Sequence, residues 1–358
     1  MYENLAVSGA IGFVCGLLLL RILKPVARHI GLVDYPRVDK VHDLPTPLVG
    51  GIAMFISFAL AVLSFDVSLS RYRLLFAGAL ILVVVGVLDD FRELSPRQRF
   101  VAQIAASLMM TLGAGVVIGD LGRLISPDWT LSLEILAVPI SVFATVGVIN
   151  AVNMSDGLDG LAASLVLVTV GALGVVAWTG GELEVCGILV LLGAVVLAFL
   201  VFNLRLDGNA LVFMGDAGSM FLGFVLAWFL IGFSQGEERL MAPVTALWIF
   251  AVPLIDTVSS MLRRILLGRS PFLGDREHLH HMLLASGFTP KQVLTLMLLL
   301  ALAAAGVGLT GEFAGVSEHW MFLGFLALFG LHFRIIQQSW RKNRFLNRPL
   351  MHHSESSI

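Results

Sequence analysis

Long apolar runs separated by short polar segments make up most of this chain. The hydrocarbon core of a bilayer is about 30 Å thick, and a helix crosses it with roughly 20 apolar residues. The pattern therefore predicts an all-α, polytopic membrane protein, a helical bundle of about eleven (10–11) transmembrane helices. The predicted spans are residues 4–23, 48–65, 72–88, 100–118, 133–149, 161–178, 184–202, 217–233, 243–262, 292–309 and 319–337.

The composition agrees with a membrane protein and excludes other classes. Of 358 residues, 58% are hydrophobic and 13% are charged, and the mean hydropathy is +0.91. A soluble domain of this length carries more charge. The net charge is −2 and the basic residues form no stripe, so we predict no nucleic-acid partner. Cys15 and Cys186 lie in separate apolar runs, and we expect both to be free thiols in the core.

Basic residues are divided unevenly between the loops on the two sides of the predicted bundle. One set of loops holds 19 of the 23 Lys and Arg residues, and the other set holds four. Because cytoplasmic loops are enriched in basic residues, the N-terminus is predicted outside and the C-terminus in the cytoplasm. The first apolar run has no basic segment and no cleavage site before it, so it is predicted to be a retained span.

The same division places every polar motif on one side of the membrane. Residues 1–337 are predicted to form a single transmembrane domain, and 338–358 a basic tail that faces lipid headgroups. The motifs fall in its predicted cytoplasmic loops, which are at about 24–47, 89–99, 150–160, 203–216 and 263–291. An active site on the cytoplasmic face is therefore expected.

Asp89 and Asp90 end an aliphatic run, LILVVVGVLDDF, at its cytoplasmic boundary. A charged end to a span needs one charge, and more often a basic one. Two adjacent carboxylates repel each other, which favours a bound cation or one raised pKa. The pair is therefore predicted to be functional.

The segment NAVNMSDGLDG places polar residues between two apolar runs. Asn150, Asn153, Asp156 and Asp159 recur every three residues, a spacing that keeps neighbours on one face of a helix. Capping of the next span by Ser155 or Asp156 is the alternative, but a cap uses one residue and not four. Carboxylates near the membrane are functional candidates by default.

Asp216 lies among small residues in FMGDAGS, at the start of a predicted span. A helix N-cap is one interpretation. The small neighbours also leave room for a phosphate or metal to approach the backbone. Carboxylates together with an asparagine are hard oxygen ligands, which predicts Mg²⁺ as the cofactor, with Mn²⁺ as a substitute.

Three histidines, His278, His280 and His281, follow a run of arginines that includes Arg264. A zinc site on His278 and His281 is conceivable, but no thiolate pair and no His-Glu-x-x-His motif supports it. With arginines nearby, these histidines better suit an anionic diphosphate. Further cationic residues on the same side are Lys40, His42, Arg97 and Arg99, of which the last two could also be plain membrane anchors.

Together, these motifs predict a carboxylate-bound metal beside a cationic, histidine-bearing loop at a membrane surface. That chemistry fits phosphoryl transfer between a nucleoside diphosphate and a lipid phosphate, where metal and cations neutralise charge on the bridging oxygen.

The motifs VLDDF, NAVNMSDGLDGLA, FMGDAGS and DREHLHH, in this order, resemble the polyprenyl-phosphate N-acetylhexosamine-1-phosphate transferases. The likeness runs from about residue 31 to residue 292. The His-x-His-His form and the stretch PVTALWIFAVPLIDTVSSMLRRILLGRSPF resemble the WecA branch most. The resemblance implies that undecaprenyl phosphate attacks a UDP-N-acetylhexosamine, UDP-GlcNAc being favoured, in the inner membrane of a bacterium. UMP leaves, and the lipid-linked sugar serves cell-surface polysaccharide synthesis.

The resemblance also implies a role for each matching residue. Asp89, the first of the aspartate pair, is the usual candidate to deprotonate or orient the lipid phosphate, and Phe213 matches a residue lying against uracil. The implied catalytic residues are Asp89, Asp90, Asp156, Asp159 and His278. The implied metal ligands are Asp216 and Asn153. The implied substrate-binding residues are Lys40, His42, Arg99, Asn153, Phe213, Arg264, His280 and His281.

Two other classes of membrane protein share parts of this pattern. A CDP-alcohol phosphotransferase needs an arginine where Ser164 stands, so it is excluded. A cation-coupled transporter places carboxylates within its spans, whereas these cluster at one face. Within the family, a 6-deoxy-N-acetylhexosamine or a UDP-MurNAc-pentapeptide donor stays open. Close relatives suggest a homodimer.

Overall fold

The computed structural model describes residues 2–35, 45–204, 209–268, 270 and 278–346. This part of the chain is mostly helical, as predicted, with one two-residue strand pair formed by β1 (Val33–Asp34) and β2 (Thr46–Pro47). The helices are α1 (Tyr2–Ile30), α2 (Gly50–Ser64), α3 (Leu69–Arg92), α4 (Pro96–Leu108), α5 (Ala137–Ser155), α6 (Leu161–Thr179), α7 (Leu183–Asn203), α8 (Gly215–Ser234), α9 (Pro243–Ile249), α10 (Ala251–Leu266), α11 (Leu279–Ala285), α12 (Pro290–Phe313) and α13 (Glu318–Leu346).

Each of the eleven predicted spans contains helix, but the segments differ in length and apolarity. Among the described residues, eight helices are long and apolar enough to cross a membrane. The pair α9 and α10 would make a ninth if it is one broken span. Helix α2 is apolar but shorter. The protein is therefore a polytopic helical membrane protein, and the count of eleven stays a prediction.

Two predicted spans are wrong as continuous helices. The segment 100–118 leaves the α-helix at Leu108, continues as the π-helical turn Met109–Gly113, and ends where Gly115 takes a φ of +71°. The segment 243–262 is bent by 87° between α9 and α10. Pro253 lies in the first turn of α10, where a missing backbone N–H costs least. The proline thus suits a new helix start.

Helix α8 lies at the centre of the bundle and is nearly all buried. It packs against α2, α3 and α5. Two glycines permit close approach at its N-terminus: a Cβ on Gly86 of α3 would lie 2.7 Å from the carbonyl carbon of Asp216, and one on Gly51 of α2 would lie 2.6 Å from Gly218 Cα. Small residues at such crossings let backbones pack directly in membrane proteins.

The segment before α8 is fixed by backbone hydrogen bonds to the chain around Pro47. Phe213 N donates to Pro47 O at 2.8 Å, and Gly50 N donates to Phe213 O at 3.0 Å. Gly51 N donates to Met214 O at 3.0 Å. The N-termini of α2 and α8 are therefore joined before any side chain is considered.

The opposite ends of several helices are joined by a second polar cluster. Arg239 Nη2 donates to Glu318 Oε1 at 2.8 Å and lies near Asp120, with 3.8 Å between Nη1 and Oδ1. Gln235 Oε1 accepts the backbone N–H of Gly119 at 2.9 Å. These contacts link the segments before α5 and α9 to the first residue of α13. The acidic motifs lie at the other end of the bundle.

Candidate active site

The acidic motifs converge where three helices end or begin. Asp89 and Asp90 lie in the last turn of α3, and Asn153 in the last turn of α5. Asp156 directly follows α5, and Asp216 is the second residue of α8. Because α8 packs against both α3 and α5, these side chains meet at one end of the bundle. The structure thus brings these four aspartates together with Asn153.

The two members of the aspartate pair have different partners. Asp90 Oδ1 accepts the backbone N–H of Asp216 at 2.9 Å, and its Oδ2 lies 3.5 Å from the N–H of Ala217. The first N–H groups of a helix have no partner within the helix and carry partial positive charge. Gly215 is required here, since its φ is +71° and a Cβ would lie 2.5 Å from Asp90 Oδ2. Asp90 therefore anchors the N-terminus of α8.

Asp89 instead faces a cation and a neighbouring carboxylate. Its Oδ2 lies 3.2 Å from Arg99 Nη1, and its Oδ1 accepts the backbone N–H of Leu94 at 2.6 Å. The side chain is buried and interacts electrostatically with Asp216. Arg99, which the family resemblance implies is a substrate-binding residue, thus lies beside the acidic group.

Asn153 connects α5 to α8. Its Nδ2 donates to Asp216 Oδ1 at 2.6 Å and to Ser219 Oγ at 2.9 Å. The N-cap position of α8 is Met214, and Asp216 forms no side-chain cap. The interpretation of Asp216 as a helix N-cap is therefore wrong. Its carboxylate is held by Asn153 and remains close to Asp89.

The expected helical face through residues 150–160 is only partly correct. Asn150 points elsewhere, since its Nδ2 donates to Gln103 Oε1 on α4 at 2.9 Å. Helix α5 ends at Ser155, so Asp156 and Asp159 lie in the turn that follows. There Asp159 Oδ2 accepts the backbone N–H of Ala210 at 3.0 Å. The polar residues spaced by three therefore do not share one face of a helix, because the last two of them lie beyond its end.

The capping alternative for this segment is also wrong. The N-cap position of α6 is Gly160, which has a φ of +78° and no side chain to form a cap. Its N–H donates to Asn203 Oδ1 at 2.7 Å. Ser155 Oγ donates back to Ala151 O within α5. Neither Ser155 nor Asp156 caps α6, so the acidic residues of the turn are left for another role.

Asp156 is buried close to three other carboxylates. Burial raises its pKa well above the ordinary value, and the nearby charges of Asp216, Asp159 and Asp90 raise it further. A bound cation would stabilise these neighbouring carboxylates in their ionised form, because opposite charge favours it.

The residues fit a hard divalent cation. Their donors are carboxylate and amide oxygens, and Asn153 keeps its Oδ1 after Nδ2 has donated to Asp216 and Ser219. Within the described ranges, no three His, Cys, Asp or Glu side chains form a complete metal cage. Mg²⁺ needs none, since it is commonly held by one or two carboxylates, with water and substrate phosphate completing the shell. Asp216 and Asn153 are the residues that would hold it.

The histidine motif lies against the turn that follows α5. A Cβ on Gly157 would collide with Nε2 of His280, so the absence of a side chain lets the ring approach. The rings of His278 and His280 are parallel, with 6.0 Å between their centroids, and His281 lies 4.1 Å from His280. This places His280 against Gly157, the residue that follows Asp156.

His280 is buried in this stack. Burial, together with the charge of the neighbouring His281, lowers its pKa to about 3. In the described part of the chain, neither of its ring nitrogens has a hydrogen-bond partner. His280 is therefore neutral near pH 7, and it can donate one hydrogen bond without carrying charge.

The remaining predicted residues divide into those the structure places and those outside the described residues. Arg264 is only 2% exposed, on the inner face of α10. Phe213 precedes Met214, the N-cap position of α8, and its backbone contacts Pro47 and Gly50. Lys40 and His42 lie outside the described residues, as does most of the 268–277 segment.

Two polar residues of this region were missed in the sequence. Asp256 of α10 lies 2.9 Å from His278 Nδ1, measured from Oδ2, and His332 of α13 lies near the same carboxylate. Each is a lone ionisable residue in an apolar run, PLIDT and FGLHF. That is the signal by which intramembrane functional residues are found.

The fold and site define a class: a helical, polytopic membrane protein with an acidic cluster at the junction of three helix ends. Comparison with known proteins identifies the family. The sequence model of glycosyl transferase family 4 matches residues 72–234, which contain all of the acidic cluster. The chain belongs to this family, within the polyprenyl-phosphate N-acetylhexosamine-1-phosphate transferases that its motifs resemble.

Relatives of known name support this assignment across nearly the whole chain. An undecaprenyl-phosphate alpha-N-acetylglucosaminyl 1-phosphate transferase of Yersinia pestis is 37% identical over 338 residues, which are 94% of this chain and 92% of the relative. The Escherichia coli K12 protein of the same name is 35% identical over the same shares. That of Haemophilus influenzae is 37% identical over 94% of this chain and 95% of the relative.

Proposed function

We propose that this protein transfers N-acetylglucosamine-1-phosphate from UDP-GlcNAc to undecaprenyl phosphate, giving undecaprenyl-diphospho-GlcNAc and UMP. The observation that carries the proposal is the junction of α3, α5 and α8, where Asn153 bonds to Asp216 beside Asp89 and Arg99. The relatives named for this activity align over 94% of the chain. A transporter is disfavoured because the acidic residues cluster at helix ends.

Each residue of the site has a separate task in this proposal. Asp216 and Asn153 would hold Mg²⁺, which would supply positive charge to neutralise the diphosphate during transfer. Asp89, oriented by Arg99 and the Leu94 N–H, accepts the proton of the lipid phosphate or fixes its direction.

The other site residues act on the donor or hold the site together. Asp156 and Asp159 form the wall beside the nucleotide, and Phe213 lies against the uracil. The diphosphate and sugar are bound by six basic residues: Lys40, His42, Arg264, His278, His280 and His281. Asp90 fixes α8 and thereby Asp216.

The proposal also includes a membrane setting. The bundle lies in the bacterial cytoplasmic membrane with about eleven spans, the N-terminus outside and the acidic cluster facing the cytoplasm. The uneven distribution of Lys and Arg supports this orientation. Undecaprenyl phosphate then meets a cytoplasmic nucleotide sugar at the inner leaflet. Residues 1–337 form the catalytic domain, the basic tail lies on headgroups, and the protein forms a homodimer.

The direct test is turnover by the purified protein with four donors in parallel. UDP-GlcNAc, UDP-GalNAc, UDP-MurNAc-pentapeptide and a UDP-6-deoxy-N-acetylhexosamine are each supplied with undecaprenyl phosphate and Mg²⁺. We expect UMP release with UDP-GlcNAc, and none when the lipid or the metal is omitted. Preference for another donor would change the proposed sugar. No UMP from any donor would refute the transferase proposal.

A further inference from the structure

Asp256 is a buried carboxylate in an apolar part of the bundle. It is 4% exposed, lies in α10, and belongs to none of the acidic motifs that form the site. An ionisable side chain at such a position is costly unless it is paired, and it marks a functional role by default. The contacts of Asp256 identify that role.

The carboxylate of Asp256 connects α10 to the start of α11. Asp256 Oδ2 lies 2.9 Å from Nδ1 of His278, and its Oδ1 accepts the backbone N–H of Leu279 at 2.8 Å. His278 and Leu279 are the N-cap and first residue of α11. The same side chain therefore fixes both the backbone that begins α11 and the ring that precedes it.

A third element, α13, approaches the same carboxylate. His332 Nε2 lies 3.8 Å from Asp256 Oδ1, which is beyond hydrogen-bond distance but within the range of an electrostatic contact. Ser260 Oγ, one turn along α10, lies 3.5 Å from His278 Nδ1 and is at most a weak second partner. The short contact of the imidazole is with Asp256.

The contact determines which nitrogen of His278 can meet a substrate. A carboxylate can only accept at Nδ1, so Nδ1 carries the proton and Nε2 is left for chemistry or binding. The ring also stacks on His280, which touches Gly157 beside Asp156. Asp256 thus orients a histidine that belongs to the predicted site. A carboxylate behind a functional histidine has this effect in other enzymes.

We infer that Asp256 is the positioning residue for His278: it fixes the tautomer and direction of the ring, with His332 as a weaker neighbour. The inference rests on the proposed transfer from a UDP-sugar. Asp256 itself touches neither donor nor lipid. Its effect on turnover passes through His278.

A double-mutant cycle on turnover tests this route. We expect His278→Ala to lower kcat by about 100-fold or more, and Asp256→Asn, which keeps the shape, by about 10- to 100-fold. If Asp256 acts through His278, the double variant is no slower than His278→Ala alone. Losses that multiply in the double variant would overturn the inference. Asp120→Asn is the matched control, an ion-paired aspartate at the other end of the bundle, and should keep wild-type kcat.

Nitrogen NMR of protein labelled with ¹⁵N-histidine tests the contact without any substrate. The signal absent from His278→Ala identifies His278, and it should show a protonated Nδ1 in wild type and a changed nitrogen shift in Asp256→Asn. An unprotonated Nδ1 in wild type would overturn the positioning role. Wild-type protein that shows the protonated Nδ1 but no turnover with any donor would instead refute the proposed function, so the two failures are distinguishable.

Discussion

The crossing of α3 and α8 predicts that one methyl group at Gly86 disables the site. A Cβ there would lie 2.7 Å from the carbonyl carbon of Asp216, and Ala217 backbone atoms are closer still. Ordinary contact begins at 3.4 Å, so the backbone of α8 must move by at least about 0.7 Å. These neighbours are backbone atoms and cannot rotate away. The displaced segment carries Asp216.

Two magnitudes follow for Gly86→Ala. Overpacking of a close interface costs about 1–3 kcal/mol, partly offset by the higher helix propensity of alanine, about 1 kcal/mol. The stability loss is therefore small. A misplacement near 1 Å costs about 100-fold in rate. Gly86→Ala should thus remain folded yet lose about 100-fold in kcat.

The assay compares Gly86→Ala with Gly171→Ala in purified protein. Gly171 lies within α6, and a Cβ there meets nothing within 4 Å. We expect wild-type UMP release from Gly171→Ala and an unchanged or raised unfolding temperature. If Gly86→Ala keeps a kcat within twofold of Gly171→Ala, the argument that backbone contact sets the position of Asp216 is wrong.

Three further predictions concern charge. Asp216→Asn should abolish UMP release in folded protein, and chelation should abolish it in wild type until Mg²⁺ or Mn²⁺ is returned; turnover surviving both would remove the metal role. Arg99→Ala should lower kcat/KM by about 10-fold or more because Asp89 loses its orientation, with little change in unfolding temperature since Arg99 is 34% exposed; an unchanged kcat/KM would contradict this. The pKa of His280 is lowered from 6.5 to about 3, so its contribution to stability is complete above pH 6.5 and declines as pH falls. His280→Asn should therefore lose less free energy of unfolding than wild type as the pH falls. Parallel plots of unfolding free energy against pH for the two proteins would contradict this.

Much of the site was predictable because its residues stand in short, dense motifs. Asp89, Asp90 and Asp216 were expected to meet from the position of each at the end of an apolar run. Hydropathy places such ends at the membrane boundary, where helices of one bundle meet. The family resemblance added the roles of individual residues.

What the sequence did not show depends on backbone direction. Asn150 continues the spacing of three, but it lies on the face of α5 toward Gln103 and α4. No periodicity reveals that α5 ends at Ser155, because the turn that follows is also polar. Likewise, no pattern separates Asp89 from Asp90. Their roles differ only because α8 presents its free N–H groups to one of them.

The break between α9 and α10 was also hidden, since both halves are apolar enough to be read as one span. Asp256 was overlooked for the same reason: within an apolar run it breaks the pattern only once. Its partner His278 lies 22 residues further along the chain. Pairings at that separation are set by the packing of α10, α11 and α13.

Helix α10, which begins at the bend, has an apolar outer face, and this has a consequence for catalysis. In α10 the polar and apolar faces are exchanged relative to a helix of a soluble protein. Asp256 and Arg264 face inward, while three aliphatic side chains are exposed: Val258 by 40%, Ile265 by 56% and Leu266 by 64%. Hydrocarbon has to cover these aliphatic side chains. We expect acyl tails to support the outer side of the helix that carries Asp256. Catalytic rate should accordingly vary with the thickness and fluidity of the surrounding amphiphile, even at saturating substrate.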